Sequence, residues 1–308
     1  MPTFHPDVAI ARFIPQFSMG PRITRLMRRG RPRQQPAPED IEIEDVRVPG
    51  APGAPDVSLR LYRPKALTTE APALFWIHGG GFIQGSPEQD ERTNILFARE
   101  LGITVAALRY RLSPEHPAPA ALDDAYAGLG WLFANADARG IDADRIAVGG
   151  ASAGAGLAAG LTLLAHDRGE FRPAYQLLIY PMLDDRTVLR TDLDTRNVRI
   201  WSPGSNRYAW TSYLGQAPGS PNVSPYAAPA RREDVGGLPP AWIGVGTLDL
   251  FHDEDLAYAE RLRASGVPVE VHVIDGVFHG FDALFAKTDV ARAFWEEQAR
   301  ALRAALQP

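Results

Sequence analysis

The 308-residue chain contains no cysteine, which excludes disulfides, thiolate metal sites and a cysteine nucleophile. It also lacks any excess of positive charge. Its 32 Lys and Arg against 37 Asp and Glu leave a net charge of -5 at pH 7 and a pI near 5.8. That balance argues against a nucleic-acid or anionic-membrane partner. The one basic cluster, Arg12, Arg22, Arg25, Arg28, Arg29, Arg31 and Arg33, reads as a solvated helix face. Long hydrophobic runs are missing as well. The most apolar window, 153–165, is interrupted by glycines and Thr162 and is too short to cross a bilayer. The opening "MPTFHPDVAIARFIPQFSMG" has no charged segment leading into an apolar one, so no secretory signal is visible. A cytoplasmic protein without stable membrane insertion is the expectation. No repeat is apparent at periods of twenty to fifty residues.

Hydrophobic residues make up 45% of the chain and charged residues 22%, ordinary values for a globular domain. After a loosely helical start, "RPRQQPAP" (31–38) reads as a linker. "IEIEDVRV" (41–48) and "VSLRLYRP" (57–64) alternate and predict an antiparallel hairpin at a sheet edge, with Ile41, Ile43, Val46 and Val48 on the buried face. Short apolar runs then take over near 72–78, 104–110, 145–150, 175–181, 241–247 and 269–274. Helical segments separate most of them, near 88–101, 119–135, 152–168 and 253–265, and a last one follows near 288–306. Continuous apolar strands alternating with helices indicate a parallel sheet covered on both faces, an α/β fold. The connection 182–240 is too long for a plain crossover and carries Trp201, Tyr208, Trp210 and Tyr213. It is expected to form a cap over a single domain spanning 1–308, with cap elements from about 1–35 and 184–222.

In open α/β sheets, ligands sit beyond the carboxyl ends of the strands. Ser152 falls there, in Gly150-Ala151-Ser152-Ala153-Gly154, after a strand and opening a helix. This is the context of a nucleophile elbow, where glycines two before and two after the serine remove a steric conflict. A tightly packed strand–helix junction accounts for Ala155, Gly156, Ala158 and Ala159, but not for a serine at the strand end. The run from Gly154 to Ala159 also fits G-x-G-x-x-A, yet a dinucleotide fold places its first glycine directly after the strand. "HGGGF" (78–82) ends another predicted strand. The amides of Gly80 and Gly81, with that of Ala153, are candidate donors to an oxyanion. A serine hydroxyl needs a base and an orienting acid. Among seven histidines, His279 alone sits in a Gly-flanked loop after the last strand. His272 reads as a packed strand residue and His116 as a loop-fixing one. Asp249 follows a strand end within reach of His279, whereas Asp253, Glu254 and Asp255 read as the acidic first turn of a helix. The order Ser152, Asp249, His279 is that of the α/β-hydrolase fold.

"HGGGF", "YRLSPEHPAPAALDD", "GGASAG", "GTLDLFHDED" and "GVFHGF" together resemble the hormone-sensitive-lipase-like (bacterial family IV) carboxylesterases, from about residue 57 to the C-terminus. The resemblance implies a cap over the sheet's C-terminal edge and His78 as a support of the oxyanion loop. Three positions depart from it. Ala151 stands where Asp is usual, Gly154-Ala155 replaces a glycine pair, and Leu250-Phe251-His252 replaces Pro-Leu-Arg. The expectation is hydrolysis of short-to-medium acyl esters, with a small-molecule ester as partner and neither metal nor organic cofactor required. A homodimer is left open. An amidase or formamidase on the same framework, and a non-catalytic ligand receptor, are the alternatives. Trp201, Tyr208, Trp210, Tyr213, Phe13, Phe17 and Met19 would either wall an apolar pocket or form the cap's own core.

Overall fold

The computed structural model describes residues 3–30 and 37–307; most of the expected linker, with Arg31 and Arg33, lies outside them. An eight-stranded sheet runs in the order β1-β2-β4-β3-β5-β6-β7-β8. Strands β1 (Ile41–Val48) and β2 (Val57–Pro64) form the expected edge hairpin. From β3 (Ala71–Ile77) through β4 (Thr104–Arg109), β5 (Ile141–Ala151), β6 (Tyr175–Ile179), β7 (Ala241–Gly246) and β8 (Val269–Ile274), neighbouring strands are parallel.

The unbroken apolar runs follow from burial on both faces. In β3, Ala73, Phe75 and Ile77 enter one core layer while Leu74 and Trp76 enter the other. Fully burying each such large side chain contributes on the order of 1.5–3 kcal/mol. Helix α1 (Pro21–Arg29) lies near the N-terminus, ahead of the sheet. Helix α2 (Glu91–Leu101) supplies Phe97 and Leu101 to the layer of Trp76. Helices α3 (Ala120–Ala134) and α4 (Ala153–Arg168) cover the opposite face. Helix α5 (Pro203–Leu214) belongs to the long insertion, and α6 (His252–Ala264) joins the layer of α3 and α4. The short α7 (Phe281–Leu284) leads into α8 (Asp289–Leu306), which packs beside α2.

β1 corrects one expectation. Ile41 and Ile43 pack into the layer of α2 and α8, and Val46 and Val48 into the other. Residues of opposite parity point to opposite faces of a strand, so the four do not share one buried face.

Helix α4 is buried at every position from Ala153 to Ala165. Its glycines permit this close approach. A Cβ on Gly156 would sit 2.2 Å from the Met182 carbonyl oxygen, and one on Gly160 2.2 Å from that of Tyr226. The N-terminal segment and the insertion are laced together beyond the sheet. Gln16 Nε2 donates to the Val198 carbonyl at 3.0 Å, Met19 N–H to Ser205 Oγ at 2.8 Å, and Arg199 Nε to the Ala11 carbonyl at 3.0 Å.

Candidate active site

Ser152 joins β5 to α4 with φ 57° and ψ -122°, a conformation that costs energy for any side-chain-bearing residue. Its surroundings hold it there. Ser152 N–H donates to the Ile179 carbonyl at 2.8 Å, and its own carbonyl accepts from Gly156 and Met182. The flanking glycines are required by contact. A Cβ on Gly150 would lie 2.6 Å from the carbonyl carbon of Gly154 and 2.5 Å from the Ile77 oxygen; one on Gly154 would lie 2.0 Å from that oxygen. β3, β5 and α4 meet here at backbone distance.

Three side chains from three strand ends converge. The Ser152 hydroxyl lies 2.9 Å from His279 Nε2, and His279 Nδ1 lies 2.8 Å from Asp249 Oδ2. All three residues are buried. The second carboxylate oxygen of Asp249 accepts the Phe251 amide at 2.9 Å, which fixes the carboxylate plane. With Asp249 ionised, Nδ1 carries the imidazole proton and Nε2 is left to accept one from the serine. The arrangement can therefore remove the serine proton as the oxygen attacks an electrophile.

The loop after β3 faces the hydroxyl. Gly80 and Gly81 have φ 116° and 62°, values open to glycine. Among the described residues the amides of Gly80, Gly81 and Ala153 donate to no protein acceptor. His78 is buried beneath them, stacked on Tyr110 at 4.3 Å, and its Nδ1 donates to the Gly79 carbonyl at 2.8 Å. Burial pulls its imidazole down to about 4, so it is neutral and holds the loop without moving protons.

Comparison with known proteins agrees with this geometry. Residues 74–283 match a family model described as alpha/beta hydrolase fold. The chain is 35% identical over 288 residues to "Carboxylic ester hydrolase LipN" of Mycobacterium tuberculosis, covering 88% of this chain and 73% of that protein. A structure titled "Bacterial Heroin Esterase" superposes with a TM-score of 0.90 at 37% identity, covering 99% of both chains. The esterase LipW from Mycobacterium marinum does so with 0.78 at 38% identity, over 87% of this chain and 83% of the other. The chain belongs to the hormone-sensitive-lipase-like esterases of the α/β-hydrolase superfamily.

Within this esterase fold, several residues matter that sequence reasoning passed over. The four non-glycine residues with positive φ among those described are Phe82, Ser152, Tyr180 and Ile200, and all four border the site. Phe82 follows the oxyanion glycines and stacks on Tyr213 at 3.9 Å. Tyr180 sets its ring edge-on to His279 at 4.7 Å. Ile200, a β-branched residue in the left-handed region, turns the chain so that Trp201 lies over the site. The Trp201 ring is 6.3 Å from that of His279, and a Cβ on Gly81 would strike it at 2.2 Å. Trp210 and Tyr213 are fully buried against Phe82, Met19 is buried, and Phe13 and Phe17 are exposed.

One charge reading is corrected and another extended. Arg28 is no solvated residue: its Nε donates to the Ile83 carbonyl and its Nη1 to Glu115, both at 2.7 Å, which ties α1 to the oxyanion loop. Asp253, Glu254 and Asp255 form the acidic first turn of α6 as expected, but Glu254 and Asp255 lie inside the protein there. Both are buried, and burial pushes the Glu254 carboxyl up to about 8 and that of Asp255 well above its ordinary value. Glu254 accepts the amides of Leu183 and Asp184 at 2.7 and 3.0 Å, latching the start of the insertion to α6. Asp253 is exposed and pairs with Arg190 at 3.1 Å. His272 packs between Trp242 and Phe294 as expected.

Proposed function

We propose that this protein hydrolyses carboxylic esters of short to medium acyl chain through an acyl-enzyme on Ser152. The observation that carries the reading is the unbroken hydrogen-bond chain from Asp249 through His279 to Ser152, set before unpaired glycine amides. His279 Nε2 takes the hydroxyl proton as Ser152 Oγ attacks the ester carbonyl, while Asp249 holds the Nδ1 tautomer and stabilises the imidazolium. The amides of Gly80, Gly81 and Ala153 receive the developing oxyanion; removing one such donor typically costs about 10²–10³ in rate. Collapse of the tetrahedral species breaks the C–O bond, and the departing alcohol takes the proton from His279. Water then attacks the acyl carbon with the same imidazole as base.

Residues 3–30 and 184–222 serve as the cap, joined to each other by the Gln16, Met19 and Arg199 bonds. Trp201, pressed between Gly81 and His279, bounds the space beside the acylated serine and supports a preference for the shorter chains. In the test, purified protein and Ser152→Ala are given p-nitrophenyl esters from acetate to laurate. Turnover of acetate through about octanoate that disappears in Ser152→Ala supports the reading. Equal turnover by both proteins, or none by either, overturns it.

A further inference from the structure

Beside the triad, on the face of the sheet covered by α2 and α8, lies a cavity of about 390 Å³. Ala151, the residue before the nucleophile, forms part of its wall, and so does Tyr180, whose ring meets His279. Aromatic surface comes also from Trp76 and Trp295, and two carboxyls face the space, Asp90 and Asp282. Asp90 Oδ2 accepts the Trp76 indole N–H at 2.8 Å, and Asp282 Oδ1 accepts the Tyr180 hydroxyl at 2.9 Å.

Among the described residues, neither carboxyl has a fixed counter-cation. The arginines at the rim, Arg92 and Arg292, are exposed, and Arg292 is engaged with Asp289. Burial pushes the Asp90 carboxyl up, and Asp282 raises it further, to about 6. Glu296, the other acid on the wall, is exposed. A second observation bears on the same cavity. Gln298 lines the same cavity, is 2% exposed, and its side-chain amide makes no hydrogen bond among the described residues.

On the reading of this protein as a serine esterase, we propose that the chamber receives one limb of the ester and that Asp90 and Asp282 select limbs bearing an organic ammonium ion. A cation among three aromatic rings and two carboxylates gains both ring-face and ionic attraction. A neutral apolar limb would strip water from the two carboxyls and return nothing, and an anionic limb would be repelled. The amide of Gln298 supplies a further polar contact that adapts to the limb. Ala151, the neighbour of Ser152 in the chain, is the wall residue past which the limb would enter.

The experiment compares kcat/KM for ω-(trimethylammonio)alkyl acetates, with spacers of two to four carbons, against their neutral tert-butyl isosteres. The ratio of cationic to neutral is taken within each protein, so a general change in activity cancels. For the wild type the ratio is expected to reach about tenfold or more at the best spacer, and to fall to about one in Asp90→Asn/Asp282→Asn. A ratio of one or less at every spacer, or a ratio that survives the double substitution, overturns the proposal. p-Nitrophenyl acetate turnover in the same preparation reports separately on the esterase reading. Should the double variant not fold, calorimetry on Ser152→Ala with choline and with 3,3-dimethylbutan-1-ol decides the matter. Tighter binding of choline supports the chamber, and equal or weaker binding refutes it whatever the fate of the esterase reading.

Discussion

Asp249→Asn tests the geometry of the triad more sharply than its removal would. The carboxylate has two jobs, accepting the Phe251 amide on Oδ1 and the His279 Nδ1–H on Oδ2. A backbone N–H can only donate, so the asparagine carbonyl oxygen keeps the Phe251 bond, and its NH₂ group is turned toward His279. Two donors cannot face one another, and the imidazole proton moves to Nε2. That nitrogen then points a proton at Ser152 Oγ instead of a lone pair, and general-base catalysis stops. The expected loss is about 10⁴ in kcat, equivalent to about 5.4 kcal/mol of barrier, the size found when a buried triad carboxylate becomes an amide. The two side chains are nearly equal in volume, so no cavity opens and the melting temperature should move by no more than a few degrees. Steady-state hydrolysis of p-nitrophenyl acetate, with thermal unfolding of the same samples, gives both numbers. A loss of less than about tenfold in a normally folded variant would refute the assigned roles of Asp249 and His279.

The remaining expectations concern packing and pH. Gly154→Ala places a methyl 2.0 Å from the Ile77 oxygen, so β3 must part from the elbow; the expected cost is about 1–3 kcal/mol by denaturant unfolding with at least a tenfold loss of activity, and a neutral outcome would contradict the close approach. Trp201→Ala should widen the space beside Gly81 and His279 and raise the octanoate-to-acetate ratio of kcat/KM by about tenfold; an unchanged ratio would remove Trp201 from the pocket. His78 folds neutral with its pKa lowered to about 4, while the unfolded chain takes up that proton near 6.5. Stability is therefore lost as pH falls from about 6.5 to 4, at about 1.4 kcal/mol per unit, and His78→Gln should flatten that limb of the unfolding profile. Glu254 behaves oppositely: with its carboxyl raised to about 8, the folded form holds a proton that the unfolded form has released above about 4.5. Stability falls as pH rises from about 4.5 to 8, and Glu254→Gln should make that decline shallower, leaving the part due to Asp255.

What could be read from the sequence was what backbone sterics and periodicity write locally. Gly150, Ser152 and Gly154 announce the elbow because the contact between flanking residues is a matter of a few positions. The apolar runs of β3, β4, β6 and β7 announce a doubly covered sheet in the same way. The hairpin was legible from alternation, but not the faces of β1, because that strand has core on both sides and Ile41 and Val48 lie on opposite ones. The first-turn placement of Glu254 was legible but its burial was not, because nothing near it in sequence shows that residues 183–187 fold over it. Arg28 was hidden for the same reason, its acceptor Ile83 lying far along the chain. Tyr180 and Ile200 carry no motif at all. Their importance lies in backbone conformations that only the assembled site imposes, and in ring positions set by the insertion.

The central claim, that one serine among those of the chain is made nucleophilic by His279, is tested most directly by covalent labelling. Purified protein is treated with diethyl p-nitrophenyl phosphate, and the labelled peptide is identified by mass spectrometry. The account predicts release of one equivalent of p-nitrophenolate, a single diethylphosphoryl group on the peptide containing Ser152, and no labelling in His279→Ala over the same period. Modification at another residue, or equal labelling without His279, would contradict it.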